Sequence, residues 1–373
     1  MSTANQSGLT VRGLEARFGR NVVLRDVALA VEPGETLVLF GPSGVGKTVL
    51  LRAIAGVEPG ASGQIFVGGR NVSTVGPEQR NVGVAFQNFA LYPHMTAREN
   101  IASPLRARRL SEREITGRVE AVASLLKIAH VLSHAPRALS NGQKQRTALA
   151  RALVGEPKVL LLDDPLRNVD AKLRYEMRME LPRLLRRAGA ATIYVSQDYR
   201  EAMALADRIA VLADGGIVQD APPEAIYDAP ATVLVARLFG DPPMNLLRCQ
   251  PRLHGAVIDV NAAGFSLSFP NHGVAGASVC LLGLRPEDLV VATAPHARGA
   301  AMELVAATPL HGRQVLLLRA PGGVEVLASI SGASPPTGTQ LWVVPDPARA
   351  LLYDAESGAR IAAGATVERE FAA

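Results

Sequence analysis

The chain has 373 residues, a hydrophobic fraction of 48% and a formal net charge of +5, which suits two or at most three domains with sizeable cores. Its two cysteines, Cys249 and Cys280, are too few for a disulfide framework or a zinc site and are expected to be free thiols. Aromatic residues make up 4% of the chain and the arginines are scattered, so no nucleic-acid partner is expected.

The sequence pattern shows no membrane span or targeting segment. No apolar run approaches the roughly 18 residues that a membrane span requires, and the first residues lack the charged-then-apolar pattern of a signal segment. We therefore expect a soluble, cytoplasmic protein, and docking on a membrane protein stays open.

The stretch from Gly41 to Thr48, GPSGVGKT, is the most informative motif in the chain. It fits G-x-x-x-x-G-K-[ST], the phosphate-binding loop, or P-loop. An apolar run over Thr36 to Phe40 predicts a buried strand before it, and Val49 to Ala55 predict a helix after it. This strand–loop–helix order is the context that the motif requires.

The residues of the P-loop have different expected roles. Its glycines allow backbone N–H groups to close around phosphate oxygens, and the helix N-terminus adds partial positive charge. Lys47 is expected to reach the β- and γ-phosphates, and the Thr48 hydroxyl to bind Mg²⁺. The loop residues predicted to bind the nucleotide are Gly41, Ser43, Gly44, Gly46, Lys47 and Thr48.

The predicted elements form an α/β core with a helical insertion. Residues from about 8 to 87 favour strands, and those from about 88 to 155 favour helices, including a capping box at Ser111 to Glu114. The β/α alternation then returns, which predicts a parallel sheet. Its elements are a strand over Val159–Leu162, a helix over Ala171–Arg187, and strands over Thr192–Val195 and Ile209–Leu212.

The character of the chain changes after about residue 235. Turn residues at Gly240 to Pro243 open a series of short alternating runs, for example Phe265, Leu267 and Phe269. Short strands at this spacing predict a small β-barrel or sandwich.

Three further motifs narrow the class of nucleotide-binding protein. Leu139 to Arg146, LSNGQKQR, opens a helix predicted over Thr147 to Val154, and a helix N-terminus is an anion site. Val159 to Pro165, VLLLDDP, is an apolar strand that ends in two carboxylates, the arrangement in which a strand-end Asp orders Mg²⁺. Phe86-Gln87 ends a strand just before the helical block.

Together, and in this order, these motifs resemble the ATP-binding subunit of ABC transporters over about residues 8 to 235. The resemblance implies that Phe18 stacks on adenine, that Asp163 holds Mg²⁺, and that Gln87 senses both Mg²⁺ and the membrane subunit. It also implies that two chains sandwich two ATP molecules. Ser140 and Gly142 of one chain then contact the γ-phosphate of ATP held by the opposite chain, so each site is composite. Gln143 is a further nucleotide-binding residue, and Asn168 and Asp170 lie in the loop that crosses between the two sites.

The tail, together with one segment of the helical insertion, resembles the carbohydrate-importer branch, of the maltose-importer type. The resemblance rests on Val235 to Asn245, Gly283 to Asp288 and Tyr92 to Thr96. It implies an ABC domain over 1–235 and an OB-like regulatory β domain over 236–373. An importer of iron, polyamines or glycerol-type solutes remains an open alternative. Tyr92 and Met95 either line a groove that receives the membrane subunit or pack in the local core, and both roles remain open.

The chain departs from the family pattern at three positions. Asp164 stands where a catalytic Glu is usual, and its shorter side chain sets the carboxylate back by about an ångström, a misplacement that can cost on the order of 10²-fold. Gln197 stands where a His is usual, and it cannot carry charge. Asn141 replaces a glycine, and its side chain can crowd the dimer interface. Gln87, Asp164 and Gln197 are the predicted catalytic set.

Two interpretations of these departures stay open. In one, the chain is a slow ATPase that works as a homodimer. In the other, it pairs with a second, intact ATP-binding chain. Both predict two transmembrane permease subunits, an indirect solute-binding protein, and a peripheral position at the cytoplasmic face of the inner membrane. A soluble ABC ATPase, a P-loop kinase and a regulatory binding protein are the alternative classes.

Overall fold

The computed structural model describes residues 8–86, 88–167, 169–271 and 278–367. The chain divides into two compact units between Pro223 and Glu224. This division falls earlier than the boundary at 235 that the sequence predicts, and that boundary stays a prediction.

The first unit contains two sheets and six α-helices among its described residues. Its strands are β1 (Leu9–Phe18), β2 (Asn21–Val31), β3 (Thr36–Phe40), β4 (Ala61–Val67), β5 (Arg70–Asn71), β6 (Val82–Ala85), β7 (Val159–Asp163), β8 (Ala191–Val195), β9 (Arg208–Ala213) and β10 (Gly216–Ala221). Its helices are α1 (Lys47–Ala55), α2 (Ala97–Ala107), α3 (Glu112–Leu125), α4 (Asn141–Leu153), α5 (Ala171–Ala188) and α6 (Tyr199–Leu205).

The larger sheet has the strand order β10-β9-β3-β8-β7-β6. Its strands pair in parallel, except that β10 runs antiparallel to β9. Every residue of β3, β7 and β8 is buried, as expected of parallel strands covered on both faces. The smaller sheet, β2-β1-β4-β5, is antiparallel. The α/β core predicted from the sequence is therefore confirmed.

One core of buried apolar side chains joins both sheets to α1. Leu9 and Leu24 of the smaller sheet, Leu37 of the larger sheet, and Leu50 and Ile54 of α1 belong to it, and all five are completely buried. Because α1 begins at the P-loop, this packing fixes the direction in which the helix N-terminus points.

The helical insertion contains α2, α3 and α4, each with a capping box at its start. The capping residues are Thr96, Ser111 and Ser140. The box predicted at Ser111 is confirmed. The predicted start of the third helix at Thr147 is wrong, because the Ser140 cap allows α4 to begin at Asn141.

Arg80 supports α1 from its C-terminal end. Its guanidinium donates hydrogen bonds to the carbonyl oxygens of Ala53 and Ile54 at 3.0 Å each, of Val75 at 2.8 Å, and of Ser73 at 3.1 Å. The side chain is buried. The last carbonyls of a helix have no partner within the helix, and here the Gly56 N–H also bonds the Ala53 carbonyl at 3.1 Å. A cation at this position also interacts favourably with the helix dipole.

We expect Arg80→Met to lower the free energy of unfolding by about 3 kcal/mol, because it removes four hydrogen bonds to carbonyl oxygens, two of them buried. Urea unfolding followed by circular dichroism measures this change. The control is Arg108→Met, which removes one exposed hydrogen bond to the Gly155 carbonyl and is expected to cost about 1 kcal/mol or less. Equal losses in the two variants would contradict a special role for Arg80.

The second unit consists mainly of short antiparallel strands. Its helices are α7 (Pro223–Asp228), which spans the division, and α8 (Val233–Leu238). Its strands are β11 (Asn245–Cys249), β12 (Arg252–His254), β13 (Val257–Ala262), β14 (Phe265–Pro270), β15 (Cys280–Leu284), β16 (Leu289–Ala292), β17 (Ala300–Leu310), β18 (Arg313–Arg319), β19 (Glu325–Ser331), β20 (Gln340–Pro345), β21 (Leu351–Asp354), β22 (Arg360–Ala363) and β23 (Thr366–Val367).

These strands form three sheets that all contribute to one apolar core, and Leu351 and Tyr353 of β21 belong to a second, smaller cluster with Ala236 and Met244. The orders are β11-β15-β21-β22, β12-β13-β14-β23 and β16-β20-β17-β18-β19. The prediction of many short strands is confirmed. Among the strands that the structure describes, the pairing closes no barrel, so the OB-like assignment is not confirmed by the fold.

Candidate nucleotide-binding site

Three neighbouring strands of the larger sheet end at the same edge. The parallel register pairs Leu39 of β3 and Asp163 of β7 with Val195 of β8. The chain segments that follow these strands therefore begin side by side, and ligands of open α/β sheets bind at such carboxyl ends.

The P-loop follows β3, and its backbone requires glycine at two positions. Gly41 has φ 150°, and a Cβ atom there would lie 2.3 Å from the carbonyl oxygen of Leu212. Gly46 has φ 107°, and a Cβ atom there would lie 2.9 Å from Val23 Cγ1. By contrast, a Cβ atom at Gly44 (φ 81°) would have no neighbour within 4 Å, so the loop leaves open space on that side.

Lys47 is the first residue of α1 and lies against the P-loop. Its Nζ donates hydrogen bonds of 2.7 Å to the carbonyl oxygens of Gly41 and Pro42. Burial lowers the pKa of Lys47, and the nearby carboxylates of Asp164 and Asp163 act in the opposite direction. A buried ammonium group is thus fixed on the P-loop at the N-terminus of α1.

Thr48 and Asp163 bring two oxygen donors together. The Thr48 hydroxyl donates to Asp163 Oδ1 at 3.4 Å. Burial raises the pKa of Asp163, while the hydrogen bond from Thr48 and the charges of Arg52 and Lys47 lower it. Hydroxyl and carboxylate oxygens are ligands that hard divalent cations prefer.

Asp164 follows β7 directly and has an unusual backbone. Its φ is 45°, in the left-handed region that Asp tolerates better than most residues. Its N–H donates to the carbonyl oxygen of Val195 at 3.1 Å. The side chain is 10% exposed, and burial raises its pKa to about 6, whereas Arg167, 3.7 Å away, acts against that rise. A buried carboxylate with a raised pKa is suited to proton transfer.

Gln197 follows β8 and contacts the P-loop directly. Its Oε1 accepts a 2.9 Å hydrogen bond from Ser43 Oγ. Gln197, one of the three residues that depart from the family pattern, therefore lies beside a residue predicted to bind the nucleotide, although 154 positions separate the two in the sequence.

A group of polar residues behind the site was not predicted from the sequence. Arg174 donates hydrogen bonds to the carbonyl oxygens of Leu166, Arg167 and Val169, at 3.3, 3.3 and 3.2 Å. Its Nε also lies 4.0 Å from Glu201 Oε1. Arg174 thus organises the loop that follows Asp164. An arginine on a predicted helix face carries no local signal for such a role.

Glu201 is buried and completes this support. It accepts hydrogen bonds from Ser196 Oγ at 2.8 Å and from Tyr194 Oη at 3.2 Å. Burial raises the pKa of Glu201. These bonds connect β8 to α6 next to Gln197.

Ser140, Gly142 and Gln143 lie together at the start of α4. Ser140 Oγ accepts from the Gln143 N–H at 3.3 Å, and Gln143 Oε1 accepts from the Ser140 N–H at 2.9 Å. Gly142 is buried, whereas Ser140 and Asn141 are exposed. In the part of the chain that the structure describes, both of these hydrogen bonds stay within the start of α4, and neither joins this group to the P-loop.

The structure describes two of the four remaining residues that the sequence predicts for the site. Phe18 is the last residue of β1 and is 46% exposed. Asp170 immediately precedes α5, and its carbonyl oxygen accepts from the Arg174 N–H at 2.9 Å. Gln87 and Asn168 lie outside the described residues.

The strand-end site combines a P-loop, a buried lysine and two adjacent carboxylates, and these features define a P-loop nucleotide-binding protein. Comparison with known proteins gives the particular family. The profile of the family described as ABC transporter matches residues 24–167.

Similar proteins cover almost the whole chain. The sn-glycerol-3-phosphate import ATP-binding protein of Ruegeria pomeroyi is 40% identical and aligns over 95% of this chain and 99% of its own length. The corresponding protein of Cereibacter sphaeroides is 41% identical, with coverages of 95% and 99%. The trehalose/maltose import ATP-binding protein of Thermococcus litoralis is 40% identical, with coverages of 92% and 96%. The chain belongs to the ABC transporter family as an ATP-binding subunit.

Within the described residues, no helix combines the length and the apolar character needed to cross a bilayer.

Proposed function

We propose that this chain is the ATPase subunit of an ABC importer and couples the binding and hydrolysis of ATP to solute uptake. The observation that carries the proposal is the strand-end site, where Lys47, the Thr48–Asp163 pair, Asp164 and Gln197 lie around one P-loop. The similarity to import ATP-binding proteins over nearly the whole chain supports the transport role.

The residues of the site fit ATP and Mg²⁺. Backbone N–H groups of the P-loop and the N-terminus of α1 suit phosphate oxygens, and the open side at Gly44 allows close approach. Among the described residues, no group of three or more His, Cys, Asp or Glu side chains could hold a metal ion. Mg²⁺ would therefore depend on Thr48, Asp163 and phosphate oxygens, with Gln87 as a further proposed ligand.

Each side chain then has a defined task in hydrolysis. Lys47 exchanges its two loop carbonyls for phosphate oxygens and offsets their charge. Mg²⁺, when bound, offsets charge that develops on the phosphates. Asp164 accepts the proton of the attacking water, and Gln197, held near the loop through Ser43, donates a neutral hydrogen bond to the γ-phosphate.

We further propose that the full site is composite. The start of α4, with Ser140, Gly142 and Gln143, would contact the γ-phosphate of ATP held by a second ATP-binding subunit. Phe18 would contact the adenine, and Asp170 would lie in the loop between the two sites. The exposure of Ser140 and Phe18 supports this arrangement.

The second subunit is proposed to be a different, hydrolytically intact chain. The two altered positions in one site, Asp164 and Gln197, favour a subunit whose own site holds ATP and hydrolyses it slowly. In this pairing, Ser140 and Gly142 of the present chain complete the partner's site. A slow homodimer is the competing outcome.

The names of the relatives support a proposal for the solute and the assembly. Their names point to sugars and glycerol 3-phosphate, so a carbohydrate or a related polyol phosphate is proposed, with polyamine and iron solutes as alternatives. The chain would lie at the cytoplasmic face of the membrane on two permease subunits that receive solute from a binding protein. The second unit is proposed to be an OB-like regulatory module.

A detergent pull-down of the tagged chain from its own cells tests the proposal. We expect two polytopic membrane chains to copurify, together with a second ATP-binding chain. Copurification of the permeases with only this ATP-binding chain would support the homodimer instead. Recovery of the chain without any polytopic partner, under conditions in which a known transporter stays intact, would contradict the importer function.

A further inference from the structure

The two cysteines of the chain lie directly opposite each other in a sheet of the second unit. Cys249 is the last residue of β11, Cys280 is the first residue of β15, and the antiparallel register pairs them. Opposed residues in such a pair have Cα atoms about 4.5–5.5 Å apart, and their side chains project from the same face. A disulfide requires a Cα separation of about 4.4–6.8 Å, so the pair needs no rearrangement of strands to close.

The two thiols differ in their access to solvent. Both belong to the apolar core of the unit, and Cys249 is 4% exposed whereas Cys280 is completely buried. Cys249 also lines an open cleft of about 480 Å³ together with Arg248, Arg252 and Asn261. A reagent that enters this cleft comes next to Cys249, so we expect Cys249 to react before Cys280. The arginines would attract an anionic reagent.

We propose that Cys249 and Cys280 form a reversible cross-strand disulfide in the presence of a small disulfide oxidant, with Cys249 as the entry thiol and Cys280 as the resolving thiol. Oxidised glutathione is the probe, because it is a small anionic disulfide and two arginines line the cleft. The proposal concerns the second unit alone and does not depend on the nucleotide site.

The chemistry balances as two thiol–disulfide exchanges. The Cys249 thiolate attacks one sulfur of oxidised glutathione, which forms a mixed disulfide and releases one reduced glutathione. The Cys280 sulfur then attacks the Cys249 sulfur and expels the second reduced glutathione. The protein loses two electrons and two protons, and one oxidant disulfide becomes two thiols.

The surroundings of the pair make this exchange slow at neutral pH. Burial raises the pKa of Cys249 to about 12 and that of Cys280 to about 11. Asp354, opposite Cys280 on β21, contributes in the same direction. Because the thiolate is the attacking species, the exchange is expected to be faster in mildly alkaline buffer.

The experiment uses the full-length chain, incubated with oxidised glutathione at about pH 9, where more thiolate is present than at neutral pH. The reaction is stopped with acid, the protein is unfolded, and its thiols are counted. We expect the count to fall from two to zero in a monomer that has lost the mass of two hydrogens and carries no glutathione, and dithiothreitol should reverse the change.

Two matched variants test the order of the thiols. Cys280→Ala should accumulate one glutathione on Cys249, because the resolving thiol is missing, and Cys249→Ala should leave Cys280 unmodified over the same time. Retention of both wild-type thiols, a persistent glutathione adduct on the wild type, or disulfides between chains would overturn the proposal. The wild-type measurement remains decisive even if a variant fails to fold.

Discussion

The double substitution Asp164→Glu with Gln197→His is expected to raise the rate of ATP hydrolysis by about 100-fold or more. Glutamate extends the carboxylate by one methylene toward the attacking water, and a misplacement of about 1 Å can cost 10²-fold. Histidine supplies a donor that can also carry charge, and loss of one transition-state donor typically costs about 10²–10³ in rate. Steady-state phosphate release by the purified chain measures the effect.

The backbone of Asp164 determines the controls for this experiment. Its left-handed conformation (φ 45°) is one that glutamate tolerates less well than aspartate, so the folding stability of each variant must be measured alongside its rate. Asp164→Asn, which has similar size but lacks a basic carboxylate, should not raise the rate. A double variant that stays folded and hydrolyses ATP within about threefold of the wild-type rate would contradict the impaired-site hypothesis.

Removal of the P-loop ammonium is expected to have the second large effect. Lys47→Ala should weaken ATP binding by about 10–100-fold, because charge-assisted hydrogen bonds to phosphate contribute about 1.5–3 kcal/mol. Isothermal titration with ATP, performed with and without Mg²⁺, measures the change. The variant also removes the two 2.7 Å bonds to Gly41 and Pro42, so the conformation of the loop must be checked.

Arg52 offers a matched control for Lys47, because it is a second cation on the same helix. It lies on α1 and contributes charge near Asp163, but its position in the last turn of the helix separates it from the P-loop. Arg52→Ala should therefore change ATP affinity by about threefold or less, as expected of screened charge. Equal losses of affinity in the two variants would argue against a direct Lys47–phosphate contact.

The local elements of the site were predictable because each is encoded in consecutive residues. The apolar runs before Gly41 and Asp164 predict buried strands, and the observed β3 and β7 agree with them. The predicted start of α4 was wrong although its signal was available, since Ser140 and Gln143 have the spacing of a capping box.

The amino-acid sequence by itself determines the P-loop, the strand-end carboxylates and the alternation of strands and helices. It does so because these features depend on neighbouring residues and on short-range periodicity. Three contacts became known only from the folded chain: Gln197 bonds Ser43, Arg80 supports α1, and Cys249 faces Cys280. These contacts join segments that are distant in the chain. They follow from the order and register of strands, which no local pattern specifies.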